Sequence, residues 1–237
     1  MSISTKYRTD APEIMDDFAM EGEILSDALD KIASINQLLG GNSITIDGIK
    51  TLLDGKDKSV VYKIIDIGCG NGDMLRKIAD FGTENNYNFQ LKGIDANQFT
   101  INYAKKLSDL YPNIAYNCVD IFTKSFDVLN YDIALLTLTL HHFSDKEIVT
   151  LLDKMNKISK IGIVVNDLQR SKVAYRLFQI IAHICGLNKM SKDDGLVSIL
   201  RGFKKQDLIK YTTDLSLKSY SIKWKWAFRY QWVIGKV

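Results

Sequence analysis

The stretch Asp66-Ile67-Gly68-Cys69-Gly70-Asn71-Gly72-Asp73 closes the apolar run Val60-Val61-Tyr62-Lys63-Ile64-Ile65 with an acid and three alternate glycines. An apolar run ending in such a loop reads as a buried strand feeding a ligand-binding turn, because glycine lets the backbone turn tightly and approach a ligand where a Cβ would collide. A dinucleotide fingerprint spaces its glycines G-x-G-x-x-G and rests a pyrophosphate on the next helix N-terminus. Here the spacing is G-x-G-x-G. An acid two residues before the first glycine would repel a pyrophosphate and suits a ligand carrying a cationic amino group or hydroxyls.

Three further strands follow, the first two ending in an acid. Phe89-Gln90-Leu91-Lys92-Gly93-Ile94-Asp95 lies one βα unit on, where a carboxylate can take both hydroxyls of a ribose. Asn113-Ile114-Ala115-Tyr116-Asn117-Cys118-Val119-Asp120 is next, and Tyr131-Asp132-Ile133-Ala134-Leu135-Leu136-Thr137-Leu138-Thr139-Leu140-His141-His142-Phe143 is a buried parallel strand running into a loop. Over residues 60 to 170 these four ordered motifs resemble the class I S-adenosylmethionine-dependent methyltransferases. The resemblance implies an α/β fold with a seven-stranded Rossmann-like sheet in the order 3-2-1-4-5-7-6, the last strand antiparallel. It also implies S-adenosylmethionine as cofactor, S-adenosylhomocysteine as product, and a cofactor site made of Asp66, Gly68, Cys69, Gly70, Asn71, Gly72, Asp95, Ala96, Asp120, Ile121 and Thr137. Asp120, with Ile121 beside it, would lie at the adenine.

Periodicity supplies the flanks. Residues 1–59 read as a helical cap, with Ile14, Phe18, Ile24, Leu25, Leu29 and Ile32 recurring at mostly helical spacing and Leu38-Leu39-Gly40-Gly41 ending the run. The neighbourhood of Met15-Asp16-Asp17 is a candidate wall of the acceptor site. Residues 60–170 form the cofactor-binding core, with helices predicted near 72–82, 97–109 and 144–158 and a fifth strand at Ile161–Asn166. Residues 171–213 read as a helical lid: Val173–Cys185 is apolar on most faces and predicts a buried or lid helix, Asp193-Asp194-Gly195 a turn, and a further helix starts at Lys204. Residues 214–237 predict a closing strand pair within one domain. In that pair Trp224, Trp226, Phe228, Tyr230 and Trp232 alternate as one face of the sheet.

A sulfonium donor carries its own leaving group, so the protein has to position a nucleophile and exclude water. A phenol or alcohol gains from a base, and His142, failing it His141, stands just past the fourth strand where open α/β sheets bind ligands. His183 reads as a core or lid histidine. Metal-assisted catechol chemistry needs an acid after the fourth strand, and none precedes Asp145, so no metal site is expected. Asn166-Asp167 supplies only the acid-amide pair of such a site, and Asp167 then lines the substrate pocket or caps the next helix.

Composition limits the rest. The chain has 237 residues, 46% hydrophobic, with Lys+Arg 31 against Asp+Glu 28 and a formal charge of +3 without a basic block, so nucleic acid is not an expected partner. No Asn-Pro-Pro-Tyr tetrapeptide for methylating a flipped base follows the fourth strand. Cys69, Cys118 and Cys185 are odd in number and lack C-x-x-C spacing, which suits a reducing cytoplasm. No membrane span or signal-like segment is read, and a homodimer is compatible with the sequence. The flanking segments around Asn36–Gly41, His141–Phe143, Val165–Arg170 and Asp193–Arg201 resemble bacterial methyltransferases of aromatic polyketide and quinone-type pathways. That narrower resemblance implies a small aromatic acceptor, phenolic or quinone-like, with O-methylation ahead of ring C-methylation, and Arg170, Arg176 and Arg201 as substrate-side or lid cations. A non-catalytic S-adenosylmethionine-binding module, and a protein or RNA acceptor, are the competing expectations.

Overall fold

The computed structural model describes residues 3–122 and 130–236. In chain order the elements are α1 (Glu23–Leu38), α2 (Gly41–Leu53), β1 (Val61–Ile67), α3 (Asp73–Asn85), β2 (Asn88–Asp95), α4 (Gln98–Leu107), β3 (Ile114–Cys118), β4 (Tyr131–Thr137), α5 (Asp145–Ile158), β5 (Ser159–Leu168), α6 (Lys172–Ile184), α7 (Lys189–Arg201), α8 (Lys205–Asp214), β6 (Tyr220–Lys225) and β7 (Arg229–Gly235). Seven strands form one sheet in the order β3-β2-β1-β4-β5-β7-β6. The first five are parallel, while β7 enters antiparallel to both β5 and β6.

Both faces of this sheet are covered, and the strand period of two divides its apolar residues between two cores. Ile65, Ile67, Ala134, Leu136, Ile163, Val165 and Trp232 face one way, onto α5, Phe203, Leu208 and Tyr211. Ile64, Leu91, Ile133, Leu135, Val164 and Val233 face the other, onto α2, α3 and α4. α2 lies close on β5, since a Cβ on Gly48 would come within 2.5 Å of a Val164 methyl. Ile49, Leu52 and Leu53 of α2 thereby belong to the sheet's own core.

Several sequence expectations change here. Residues 3–22 are irregular chain with a 3₁₀ turn at Ile14–Asp16 and a further turn at Phe18 and Ala19, so the apolar spacing of Ile14 and Phe18 is not that of an α-helix. Asp193-Asp194-Gly195 is no turn but the middle of α7. Its glycine is needed for packing: a Cβ on Gly195 would lie 2.3 Å from the Phe178 ring of α6. α6 is not a buried helix, for only Ala174 and Ala182 are buried, and Ile180 and Ile184 are 57% and 76% exposed. His183 is exposed on it and is no core histidine. The aromatic alternation of the tail breaks at the hairpin between β6 and β7, where Phe228 adopts φ +54°. Trp226 and Phe228 consequently turn to the rim of the large cavity, while Trp232 stays fully buried in the sheet. Val237, expected to end the last strand, lies outside the described residues.

Among the described residues no helix is long and apolar enough to cross a membrane. Cys69, Cys118 and Cys185 form no disulfide.

Candidate active site

A cavity of about 880 Å³ opens at the carboxyl ends of β1, β2 and β4, the place where open parallel sheets bind ligands. Its floor is the glycine loop. Gly68, Gly70 and Gly72 have φ of +68°, +51° and +78°, which only glycine adopts without strain. A Cβ at Gly68 would meet Thr139 at 2.6 Å, and one at Gly72 the Tyr116 hydroxyl at 2.1 Å. The backbone N–H groups of Gly68 and Cys69 both donate to the Ile94 carbonyl, at 2.9 and 3.0 Å, and so tie the loop to β2.

Two acids sit on this floor. Asp66 is buried and its Oδ1 has no hydrogen-bond partner. Burial, then the neighbouring Asp95 charge, pushes its carboxyl up to about 8. Asp95, at the end of β2, accepts from the Asn97 N–H at 3.0 Å and the Gly70 N–H at 3.3 Å. Burial still raises it, against the pull of those two bonds and of His142. Burial, then Asp95, also pushes the Cys69 thiol well up, so it lines the cavity as a neutral group. Asn71 accepts from the Asp73 N–H and donates to Asp30 at 2.9 Å. Ala96, Asp120 and Ile121 line the cavity, Asp120 accepting from the Phe122 N–H at 2.9 Å. The Thr137 hydroxyl shares a 3.0 Å bond with Thr45. Of the expected cofactor residues, Gly72 alone stands off the cavity wall, serving as the left-handed cap before α3.

An orphaned buried carboxyl beside a glycine loop with no room for a Cβ at Gly68 or Gly72 fits a ligand bearing an ammonium group and hydroxyls. S-Adenosylmethionine is such a ligand. Asp66 and the loop would hold its amino-acid end, Asp95 its ribose, and Asp120 with Ile121 its adenine.

The other wall is built where β4 ends. Leu138 takes φ +55°, and the chain then coils into a 3₁₀ turn, Leu140–His142, that brings both histidines to the cavity. Their rings lie 4.3 Å apart. His141 is buried, with Nδ1 at 2.7 Å from Asp167, which also accepts its backbone N–H. Burial would raise Asp167, but the His141 charge and bond outweigh it and hold the carboxyl below its ordinary value. An ionised carboxylate can only accept, so Nδ1 of His141 carries the proton. Asp167 therefore neither lines an acceptor pocket nor caps the next helix; Ser171 caps α6.

His142 is partly exposed, and its Nδ1 lies 2.8 Å from Asp16. Burial again opposes ionisation of Asp16, yet bonds from His142 and Arg201 hold it well below the usual carboxylate range. By the same reasoning Nδ1–H of His142 donates to Asp16, and Nε2 keeps the lone pair.

The strap of residues 5–17 that brings Asp16 here is fastened to α7 and to the β4 loop. Arg8 donates to the carbonyls of His141, Phe143 and Arg201 at 2.7 to 2.9 Å. Asp194 accepts the N–H groups of Ile14 and Met15 at 2.8 and 3.0 Å. Arg201 joins Asp16 at 2.7 Å, Glu13 at 3.3 Å and the His142 carbonyl at 2.7 Å. Glu13, buried and accepting from Ser198, stands 3.8 Å from Nε2 of His141, and its burial raises its carboxyl. Of the three expected cations only Arg201 reaches this wall. Arg170 is buried in a pair with Asp207, and Arg176 is exposed, bonded to Gln179. Sequence reading missed Glu13, Arg8 and Asp194, whose only signal is the unusual density of acids in residues 10–17 and in Asp193-Asp194.

Comparison with known proteins agrees with this geometry. Residues 64–162 match the methyltransferase domain family. A curated relative, des-methyl DIF-1 methyltransferase A of Dictyostelium discoideum, is 29% identical over 132 residues, which is 50% of this chain. That match spans only 33% of the relative's own length. Among solved structures, the plantazolicin methyltransferase BpumL in complex with S-adenosylhomocysteine superposes with a TM-score of 0.67 at 18% identity, covering 90% of this chain and 89% of that one. An O-methyltransferase family protein from Burkholderia thailandensis gives 0.65 at 15% identity, covering 94% and 62%. The fold is that of the superposed methyltransferases, and the sheet has the order that the resemblance to class I S-adenosylmethionine-dependent methyltransferases implies.

Proposed function

We propose that this chain transfers a methyl group from S-adenosylmethionine to an oxygen of a small aromatic acceptor, phenolic or quinone-like, and that His142 takes the acceptor's proton. The observation that carries this reading is the His142–Asp16 pair at the carboxyl end of β4, on the wall facing the glycine loop. His142 is close enough to the floor for the imidazolium formed there to act on Asp95.

When bound, S-adenosylmethionine would supply an electrophilic methyl on a sulfonium whose neutral thioether is the leaving group. The residues do the rest. Nε2 of His142 accepts the hydroxyl proton as the acceptor oxygen bonds to the methyl carbon. Asp16 accepts from Nδ1–H and stabilises the imidazolium that forms, while Arg201 keeps Asp16 ionised and fixes the His142 carbonyl. The buried His141–Asp167 pair positions the turn that carries His142. Residues 3–22 and 171–213 form the acceptor-side cap, and Phe18, Leu177, Phe178 and Trp226 give the cavity the apolar surface an aromatic ring needs. Cysteines that form no disulfide suit a reducing compartment, the cytoplasm.

The test is mass spectrometry of a panel of phenols, catechols, hydroquinones and amines incubated with protein and S-adenosylmethionine. A hydroxylated ring should gain one methyl, and His142→Ala should lower that turnover by about 10² to 10⁴ with cofactor affinity retained. Methylation confined to amines or to ring carbon, or full turnover in His142→Ala, would overturn the reading.

A further inference from the structure

Glu13, His141 and His142 each offer a ligand atom to one point, the three atoms lying within 4.8 Å of one another. Their surroundings are those of metal-binding imidazoles. Nδ1 of each ring is held by its own carboxylate, Asp167 at 2.7 Å and Asp16 at 2.8 Å. Such a carboxylate fixes the tautomer, leaves Nε2 as the donor and raises its basicity. Nε2 of His141 is buried, has no hydrogen-bond partner and stands 3.8 Å from Oε1 of Glu13. Two ligands of one tetrahedral zinc ion at about 2.0–2.1 Å stand about 3.4 Å apart, so the gap closes onto a metal with only a small side-chain movement.

We infer that Glu13, His141 and His142 form a site for a divalent transition-metal ion, and that zinc is the ion its donors suit. Two imidazoles and one carboxylate match borderline-soft ions and not magnesium or calcium, which take oxygen donors. All three residues line the cavity, so a fourth, open position faces the acceptor space. Binding draws Oε1 of Glu13 from Arg201, whose guanidinium keeps its shorter bond to Asp16.

The consequence for catalysis rests on the proposed role of His142: the lone pair that ligates the metal is the one that would take the acceptor's proton. Zinc therefore inhibits methyl transfer, and chelation restores it. The binding itself does not depend on that role.

The experiment is titration of the cofactor-free 237-residue chain with zinc alone by calorimetry, and with cobalt(II) followed by visible absorption. It is run on a Cys118→Ser/Cys185→Ser background, because exposed thiols bind zinc in their own right. One ion per chain is expected, with the intense visible bands of four-coordinate cobalt. Glu13→Gln and the partly exposed His142→Asn should each weaken binding at least about tenfold, and a second-sphere change, Asp16→Asn, by about 10 to 100-fold. The site is refuted if no ion binds, or if binding is indifferent to both ligand variants while far-UV circular dichroism shows them folded. Zinc that binds there and accelerates methyl transfer refutes the inhibitory role. Absence of metal binding in a chain that still binds S-adenosylhomocysteine and methylates a phenol sinks this inference alone; metal binding without any cofactor binding sinks the proposed function instead.

Discussion

Cofactor binding should release a proton, and Asp66 is the group that releases it. Its carboxyl is buried, lacks a partner at Oδ1 and is pushed up to about 8 by burial and by Asp95. At pH 7 such a group is about nine-tenths protonated, at pH 8 about half and at pH 9 about one-tenth. An ammonium group placed beside it favours the carboxylate, so binding should expel close to one proton at pH 7 and almost none at pH 9. Affinity should correspondingly rise with pH through about 8. The same shift has the opposite sign for the empty protein: an acid whose folded value is raised contributes stability below the ordinary carboxylate range, and that contribution is lost as pH climbs through about 8. Calorimetry of S-adenosylhomocysteine binding in two buffers of different ionisation enthalpy counts the protons, and Asp66→Asn isolates this residue from Asp95. Proton release at pH 7 that vanishes in the variant is expected. Binding without proton exchange at pH 7, or equal release in Asp66→Asn, would refute the reasoning.

Two further changes probe the loop and the strap. Gly72→Ala puts a Cβ where the Tyr116 hydroxyl lies 2.1 Å away and forces alanine to φ +78°, so thermal denaturation should show a loss on the order of 3 kcal/mol with weakened cofactor binding; unchanged stability would mean that the loop relaxes freely. Asp194→Ala removes the acceptor for the N–H groups of Ile14 and Met15 at a cost of about 1–3 kcal/mol, so amide exchange should quicken around residues 13–17 and turnover should fall while S-adenosylhomocysteine affinity holds. Unaltered exchange there would show that Arg8 and Arg201 fasten the strap without it.

The cofactor half of the molecule was legible because its signals are local. Alternate glycines after an apolar run, and acids at the ends of the next strands, are short-range patterns that carry the family resemblance, and it is that resemblance that implies the order β3-β2-β1-β4-β5-β7-β6 seen in the sheet. The acceptor half depends on contacts between distant segments. His141 meets Asp167 across 26 residues, and Asp16 meets His142 across 126, so their pairing has no local spacing to read. Asp193-Asp194-Gly195 carries turn chemistry by composition, yet tertiary packing overrides it: Gly195 admits the Phe178 ring and Asp194 terminates the strap. α6 misled for a related reason. Its apolar residues cover nearly the whole surface, but only one side meets α7 and the cavity, and Ile180 and Ile184 remain outside.

The central claim, that the cleft at the carboxyl ends of β1 and β2 holds S-adenosylmethionine through its acids, is tested most directly by calorimetry of S-adenosylhomocysteine with the wild-type chain and with Asp95→Ala. One molecule should bind each wild-type chain, and the substitution should cost about 1–3 kcal/mol, a five- to 150-fold loss of affinity, because the ribose hydroxyls would be buried without their acceptor. No binding by the wild-type chain, or equal affinity in Asp95→Ala, would contradict it.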